Sequence, residues 1–169
     1  AVVVRLPVLS AGFVSDDFVL LAAMQRRSPL ANTPFQLWTF YDGDPTTNAR
    51  LQLDGALPWW TAPTASHAFL RPLSSAVLTS IAWLFGARPQ AFHAAALALE
   101  AGNVLLAGLW FRGFLPRTAA IVATLAFAVH PMHYAASLWI SAIHIPLSAA
   151  FGLVALLGHA RWRRTGWPP

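Results

Sequence analysis

Residues 118–160 (TAAIVATLAFAVHPMHYAASLWISAIHIPLSAAFGLVALLGHA) constrain this chain more than any other stretch, and they run straight into RWRR. The stretch is apolar almost throughout, and its polar content gathers at His130, Pro131, His133 and His144. About 20 apolar residues cross a bilayer core as a helix, because a helix satisfies its own backbone where no water can. Ionisable groups in such a segment are costly, so they mark a bundle interior or a site at the membrane surface. The first expectation is therefore a membrane helix bundle. The second is a polar locus at one membrane edge.

Composition agrees: 57% of the residues are hydrophobic and only 10% charged, against about 25% charged in a soluble domain. There is no cysteine, which excludes disulfide frameworks and cysteine metal sites. The net charge of +5 comes with eleven cations, every one an arginine. They sit at the edges of apolar segments and not on one polar face, so nucleic acid is excluded as a partner. Membrane lipids and other membrane-protein subunits are the partners to expect. The arginine-only usage is that of a GC-rich bacterial genome, which sets the expected location as a bacterial cytoplasmic (inner) membrane, multi-pass.

The fold class expected is all-α, a polytopic bundle forming one membrane domain over 1–169. It has about four transmembrane helices, an interfacial or re-entrant helix and a long extracytoplasmic loop. Residues 1–14 are too short to span and read as the end of a first span that begins before Ala1. Residues 15–71 form the outer loop, opening with a short helix over 15–28 that starts at Ser15. Trp38, Tyr41, Trp59 and Trp60 in this loop suit the headgroup layer, where amphipathic rings are stable. Residues 72–86 are apolar but only about 22 Å long as a helix, hence interfacial or re-entrant. Residues 90–111, 118–138 and 143–160 are the remaining spans. Arg112 and Arg117, and Arg161, Arg163 and Arg164, mark cytoplasmic ends under the positive-inside rule. Asp16, Asp42, Arg71 and His133 then lie on the opposite side, provided 72–86 does not cross.

Several polar groups have the chemistry of a site. Asp16 and Asp17 follow the first span, either as a pair of carboxylates for base or metal duty or as first-turn acids behind a Ser15 cap. Asp42-Gly-Asp44-Pro45 has the form of a metal motif and equally of a turn. Arg71-Pro72 opens a helix, with proline suited to its first position. The arginine either binds a lipid phosphate or snorkels. His93, Glu100 and Asn103 are spaced by seven and three residues, so they form one intramembrane polar stripe. Ala94, Ala98 and Gly102 form a separate small-residue face for close helix packing. A mid-span glutamate is expected to face protein, since exposure to lipid costs about 2.5–3.5 kcal/mol. Pro131 breaks its helix and frees carbonyls; His130 and His133 are placed to satisfy those, to bind phosphate or to ligate a metal. His130 and His159 each follow an alanine by four residues, as chlorin-ligating histidines do, but in so alanine-rich a chain pigment or haem binding does not follow.

SAGFVSDDFVLL, FLRPLSSAVL, LFGARPQAFHAAALALEAGNVLL and LAFAVHPMHYAASLWIS occur in that order. Together they resemble the N-terminal part of GT-C-fold membrane glycosyltransferases, in the O-mannosyltransferase-like group, over roughly residues 10–160. The resemblance implies a polyprenyl-phosphate sugar donor and catalytic roles for Asp16 and Asp17, with a divalent metal if the chain is an enzyme. It also implies donor-phosphate or lipid binding by Arg71, His130 and His133. The departures are specific. Where the family carries asparagine three residues, and histidine seven residues, after its first histidine, this chain has Ala96 and Glu100. Where the family carries glutamate and later an Arg-x-Asp pair after its HPxH, this chain has Ala135, Ile143 and Ile145. Polar groups are lost while the apolar scaffold stays. Two expectations follow: a non-catalytic accessory or scaffold subunit of a larger membrane complex, or the N-terminal portion of a sugar transferase.

Overall fold

The computed structural model describes residues 5–28, 30 and 33–166. In chain order its helices are α1 (Asp17–Met24), α2 (Pro45–Leu53), α3 (Pro72–Phe85), α4 (Pro89–Arg112), α5 (Arg117–Val129), α6 (Met132–Leu138) and α7 (His144–Thr165). Tight 3-10 turns occupy Leu6–Ser10 and Ile140–Ile143, and strands β1 (Thr39–Asp42) and β2 (Ser66–Ala68) pair in a small sheet. The protein is mostly helical, and this sheet corrects the all-α expectation. The chain divides into two compact units, one of residues 1–14 and 88–169, the other of residues 15–87.

In the first unit α4 is the central helix, packing against α5, α6, α7 and the Leu6–Ser10 turn. Proline stands in the first turn of α4, where its missing N–H costs nothing. Two segments are long and apolar enough to cross a membrane, Pro89–Arg112 and Ile140–Thr165. The span expected over 118–138 is broken: α5 and α6 meet at a 50° bend. Pro131 at the break has no N–H to donate and its ring crowds the preceding turn. The described residues therefore hold two candidate spans, or three if the bent pair is one. The helical tail expected over 1–14 is instead a 3-10 turn at Leu6–Ser10 followed by extended backbone at Ala11; residues 1–4 lie outside the described residues.

Packing on α5 buries small side chains and leaves large ones outside. On α5 the buried residues are Ala120 and Ala128, while Ile121, Val122, Leu125 and Val129 are exposed. Lipid tails are as apolar as leucine, so helices there associate through small residues and close backbones. Gly108 on α4 shows why: a Cβ at that position would come within 3.3 Å of the Thr124 side chain on α5. The small-residue face of Ala94, Ala98 and Gly102, suited to the approach of another helix, is open in this chain. Ala94 and Ala98 are exposed, and a Cβ at Gly102 would meet nothing within 4 Å.

The second unit is a folded body, correcting the expectation of a plain loop over 15–71. β1 and β2 run antiparallel with Tyr41 opposite His67 and Asp42 opposite Ser66. Asp44 caps α2, its carboxylate accepting from the Thr47 amide at 2.8 Å and the Thr47 hydroxyl at 2.8 Å. Gly43 precedes it at φ +89, a conformation that glycine adopts without strain. Asn48 on α2 is buried and donates to the carbonyls of Pro63 and Ala65 at 2.8 and 2.9 Å, tying the long return loop down. Trp38 is also buried, which removes it from the rings expected at the headgroup layer; Trp59 and Trp60 remain exposed. On α3, Ser75 accepts from the Leu37 amide at 3.1 Å and Thr79 donates to the Pro34 carbonyl at 3.2 Å.

Candidate functional site

The polar stripe of α4 is where the sequence expectation meets the structure most closely. His93, Glu100 and Asn103 are all buried, as steps of seven and three residues on one helix face require. Each side chain faces a particular partner within the first unit.

His93 stands between two chain ends. One ring nitrogen lies 3.1 Å from the Ser137 carbonyl, the other 3.3 Å from the Gly12 carbonyl. Both carbonyls are free for a physical reason. α6 ends at Leu138, so Ser137 lacks the helical donor four residues on, and the chain around Gly12 is not helical. A neutral imidazole donates through one nitrogen, so whichever tautomer is present serves one of the two carbonyls directly. Phe92 beside it is fully buried and meets Phe13 edge-on at 5.7 Å.

Glu100 faces protein, as expected. Its Oε2 lies 2.8 Å from His133 Nδ1. The contact is close but lacks hydrogen-bond alignment. His133 in turn packs edge-on against Phe127 at 4.6 Å. Because His133 lies in α6 and Phe127 in α5, this one side chain bridges both sides of the bend. Asn103 donates to the Pro146 carbonyl at 2.9 Å, joining α4 to the start of α7.

The carbonyls freed at the break are not met by the histidines in the way expected. The Ala128 carbonyl, which would receive Met132 N–H in an unbroken helix, takes the guanidinium of buried Arg5 instead. The Met132 amide turns to His130 Nδ1 at 3.3 Å. His130 is exposed, and its ring centroid is 6.3 Å from that of His133. Arg5 was missed by the sequence reading. The signal available was an ionisable residue inside an apolar segment, which is expensive without a partner.

In the second unit Ser15 is not the cap of α1. Its φ is +49, and the N-cap is Asp16, without a side-chain cap bond. Ser15 donates instead to the Asp16 carboxylate at 3.3 Å. Asp16 is half-buried and Asp17, in the first turn, is fully buried, so the two acids are not equivalent. The Asp42–Asp44 motif is a turn and a cap: Asp42 accepts from the Asp44 amide at 3.1 Å. Its donors hold the Asp44 carboxyl below the ordinary carboxylate value, the Thr47 amide first and the Thr47 hydroxyl next. Arg71 precedes Pro72 at the start of α3, as expected. Its guanidinium sits 4.9 Å from the Phe69 ring centroid and 5.4 Å from that of Trp38, and burial lowers its pKa from the ordinary value. Such cation–π contacts fix the fork in place.

Within the first unit the structure therefore brings Glu100 and His133 together and gives His93 and Asn103 backbone partners. Asp16, Asp17 and Arg71 belong to the second unit. Among the described residues no three histidine, aspartate or glutamate side chains cluster so as to hold a metal ion. Comparison of the chain with protein-family models, curated proteins and solved structures gives no match.

Proposed function

We propose that this chain is a multi-pass protein of a bacterial cytoplasmic membrane, built on the N-terminal module of GT-C-fold glycosyltransferases. In this reading it serves as a non-catalytic accessory or scaffold subunit of a larger membrane complex. The observation that carries the reading is how the α4 stripe is used. His93, Glu100 and Asn103 are buried and directed at Ser137, Gly12, His133 and Pro146, so their polarity holds helices together and is not open to a substrate. The open small-residue face at Ala94, Ala98 and Gly102 adds to it, since such a face suits the close approach of another helix.

The finer topology belongs to the same proposal. α4, the bent α5–α6 pair and α7 are three spans, and α3 is not a crossing segment. Asp42, Arg71 and His133 then face the extracytoplasmic side, and Arg112 and Arg164 the cytoplasm. The chain has no cysteine, so single introduced cysteines report sidedness cleanly. Labelling of position 42 from the cytoplasm alone overturns this topology.

The competing reading, the N-terminal portion of a transferase using a polyprenyl-phosphate sugar, is favoured by half-buried Asp16 at a helix start. Two substitutions separate the readings. Ala98→Phe alters an exposed position, so it should leave the melting temperature of the isolated protein unchanged and shift its migration in native membranes from a large complex to a small one. Asp16→Asn should leave migration unchanged, with no donor turnover in either form. Donor turnover that Asp16→Asn abolishes, since an amide is no base at neutral pH, overturns the subunit reading, as does unchanged migration of the Ala98→Phe protein.

A further inference from the structure

α3 carries large apolar side chains on both its inner and its outer side. Leu78 and Ile81 are buried within the second unit, yet Leu73, Trp83, Leu84 and Phe85 are exposed. Two serines, Ser74 and Ser75, go inside instead. A helix with large apolar side chains on both sides belongs in a core or in a membrane, and among the described residues nothing covers the outer ones. The last turn is the extreme case, with Trp83 83%, Leu84 61% and Phe85 57% exposed in succession.

Charge points to the same medium. Residues 72–87 carry no charge, and the interval is bounded by Arg71, whose guanidinium lies over the Phe69 and Trp38 rings, and by exposed Arg88, which can keep its head in water while its stem runs along apolar surface. Length sets the depth. Fourteen residues make a helix of about 21 Å, against about 30 Å for a bilayer core, so α3 enters without crossing. Connectivity supplies the surface. Phe85 is followed by Gly86, Ala87 and Arg88, and the candidate span α4 begins at Pro89. The exposed end of α3 is thus tethered by three residues to a helix fit to cross the membrane.

We infer that α3 docks on a phospholipid bilayer through Leu73, Trp83, Leu84 and Phe85, with its last turn in the acyl region. Its inner side stays on the backbone of residues 34–37. This rests on the membrane reading of α4 and adds a lipid-contact surface on the second unit. The second unit is then anchored to the membrane along one of its own helices as well as at its chain ends.

The test uses the full chain in nanodiscs of phosphatidylcholine and phosphatidylglycerol, with a single nitroxide on Leu84→Cys, Leu105→Cys or Asp54→Cys. Leu105 is an exposed residue of α4, and its label reports whether that helix is in lipid. Asp54 is an exposed residue of the second unit and serves as the aqueous reference. Collision rates with oxygen and with a water-soluble nickel chelate are compared. The expected result is oxygen preference at position 84, to a depth of roughly 5–10 Å below the headgroups, greater depth at 105, and chelate preference at 54. Chelate preference at 84 with 105 still in lipid overturns the docking alone. Low access to both reagents at 84 means that a protein, a second copy included, covers the face, and overturns it too. Chelate preference at 105 shows that the membrane reading itself has failed, and with it this inference.

Discussion

The two units put their polar side chains to different uses. Within the apolar segments of the helical unit the polar groups are on the inside: His93, Glu100 and Asn103 are buried on α4, and Arg5 is buried against the end of α5, while Arg88, Arg112, Arg117, Arg161, Arg163 and Arg164 are exposed near helix ends. Its outer surface carries leucine, isoleucine, valine and phenylalanine. In the second unit the charged groups are mostly outside, doing the local work of turns and caps, as Asp42, Asp44 and the exposed Arg50–Asp54 pair do. The difference teaches which solvent each body is built for. In water, apolar burial drives packing. In lipid that drive is missing between helices, and small-residue contacts with shared polar groups replace it. α3 within the second unit follows the rule of the helical one on its outer side, where Trp83, Leu84 and Phe85 are exposed in succession.

The comparison is open to attack first at its largest expected effect. Trp38→Ala in the second unit should cost about 3–5 kcal/mol, through lost transfer free energy together with a cavity. Phe92→Ala, equally buried but in the helical unit, should cost less, since its unfolded reference already lies in an apolar medium. Denaturation of both proteins in the same detergent compares them, and equal losses would break the proposed difference in solvent.

A smaller effect sharpens the role of the Glu100–His133 contact. In a double-mutant cycle, Glu100→Gln and His133→Phe should show coupling of about 0.5–3 kcal/mol, as for groups in direct contact. The bend should loosen in both single variants, seen as greater mobility of a spin label at exposed Tyr134. Additive effects would mean that Glu100 and His133 do not hold α6 in place.

The smallest effect is a pH dependence confined to the second unit. The Asp44 carboxyl titrates lower in the folded protein than its ordinary value of 3.8 because Thr47 donates to its charged form. A lowered folded value gives a stabilisation that is present above the unfolded value and lost as pH falls through the folded one. Melting measured downward from about pH 5 should therefore show a fall that is diminished in Asp44→Asn, which keeps an acceptor but cannot titrate. An identical fall in both proteins assigns the acid sensitivity elsewhere.

Much of this was legible in the residues. The spans over 90–111 and 143–160 and the short helix over 72–86 match α4, α7 and α3 within a few residues, because apolar run length and proline at helix starts are local properties. The protein-facing placement of Glu100 followed from the cost of the alternative. The turn reading of Asp42–Asp44 followed from side chains that bond their own backbone neighbours. Other features were hidden. The sheet pairs residues 39–42 with 66–68 across a long loop, and no short-range pattern announces that register. The Ser15 cap failed because its backbone is left-handed.

The sequence by itself determined which segments are fit for a membrane, which residues share the α4 stripe, and where Pro131 interrupts a helix. These are consequences of side-chain polarity and helical period acting within one segment. Only the tertiary structure decided that Arg5 meets the freed Ala128 carbonyl, that His133 bridges the bend to reach Glu100, and that Trp38 is core while Trp59 and Trp60 are surface. Those outcomes depend on which helix ends leave backbone groups unpaired beside a given side chain. A buried polar group is strongly driven to find a partner, but its identity is set by the folded path of the chain.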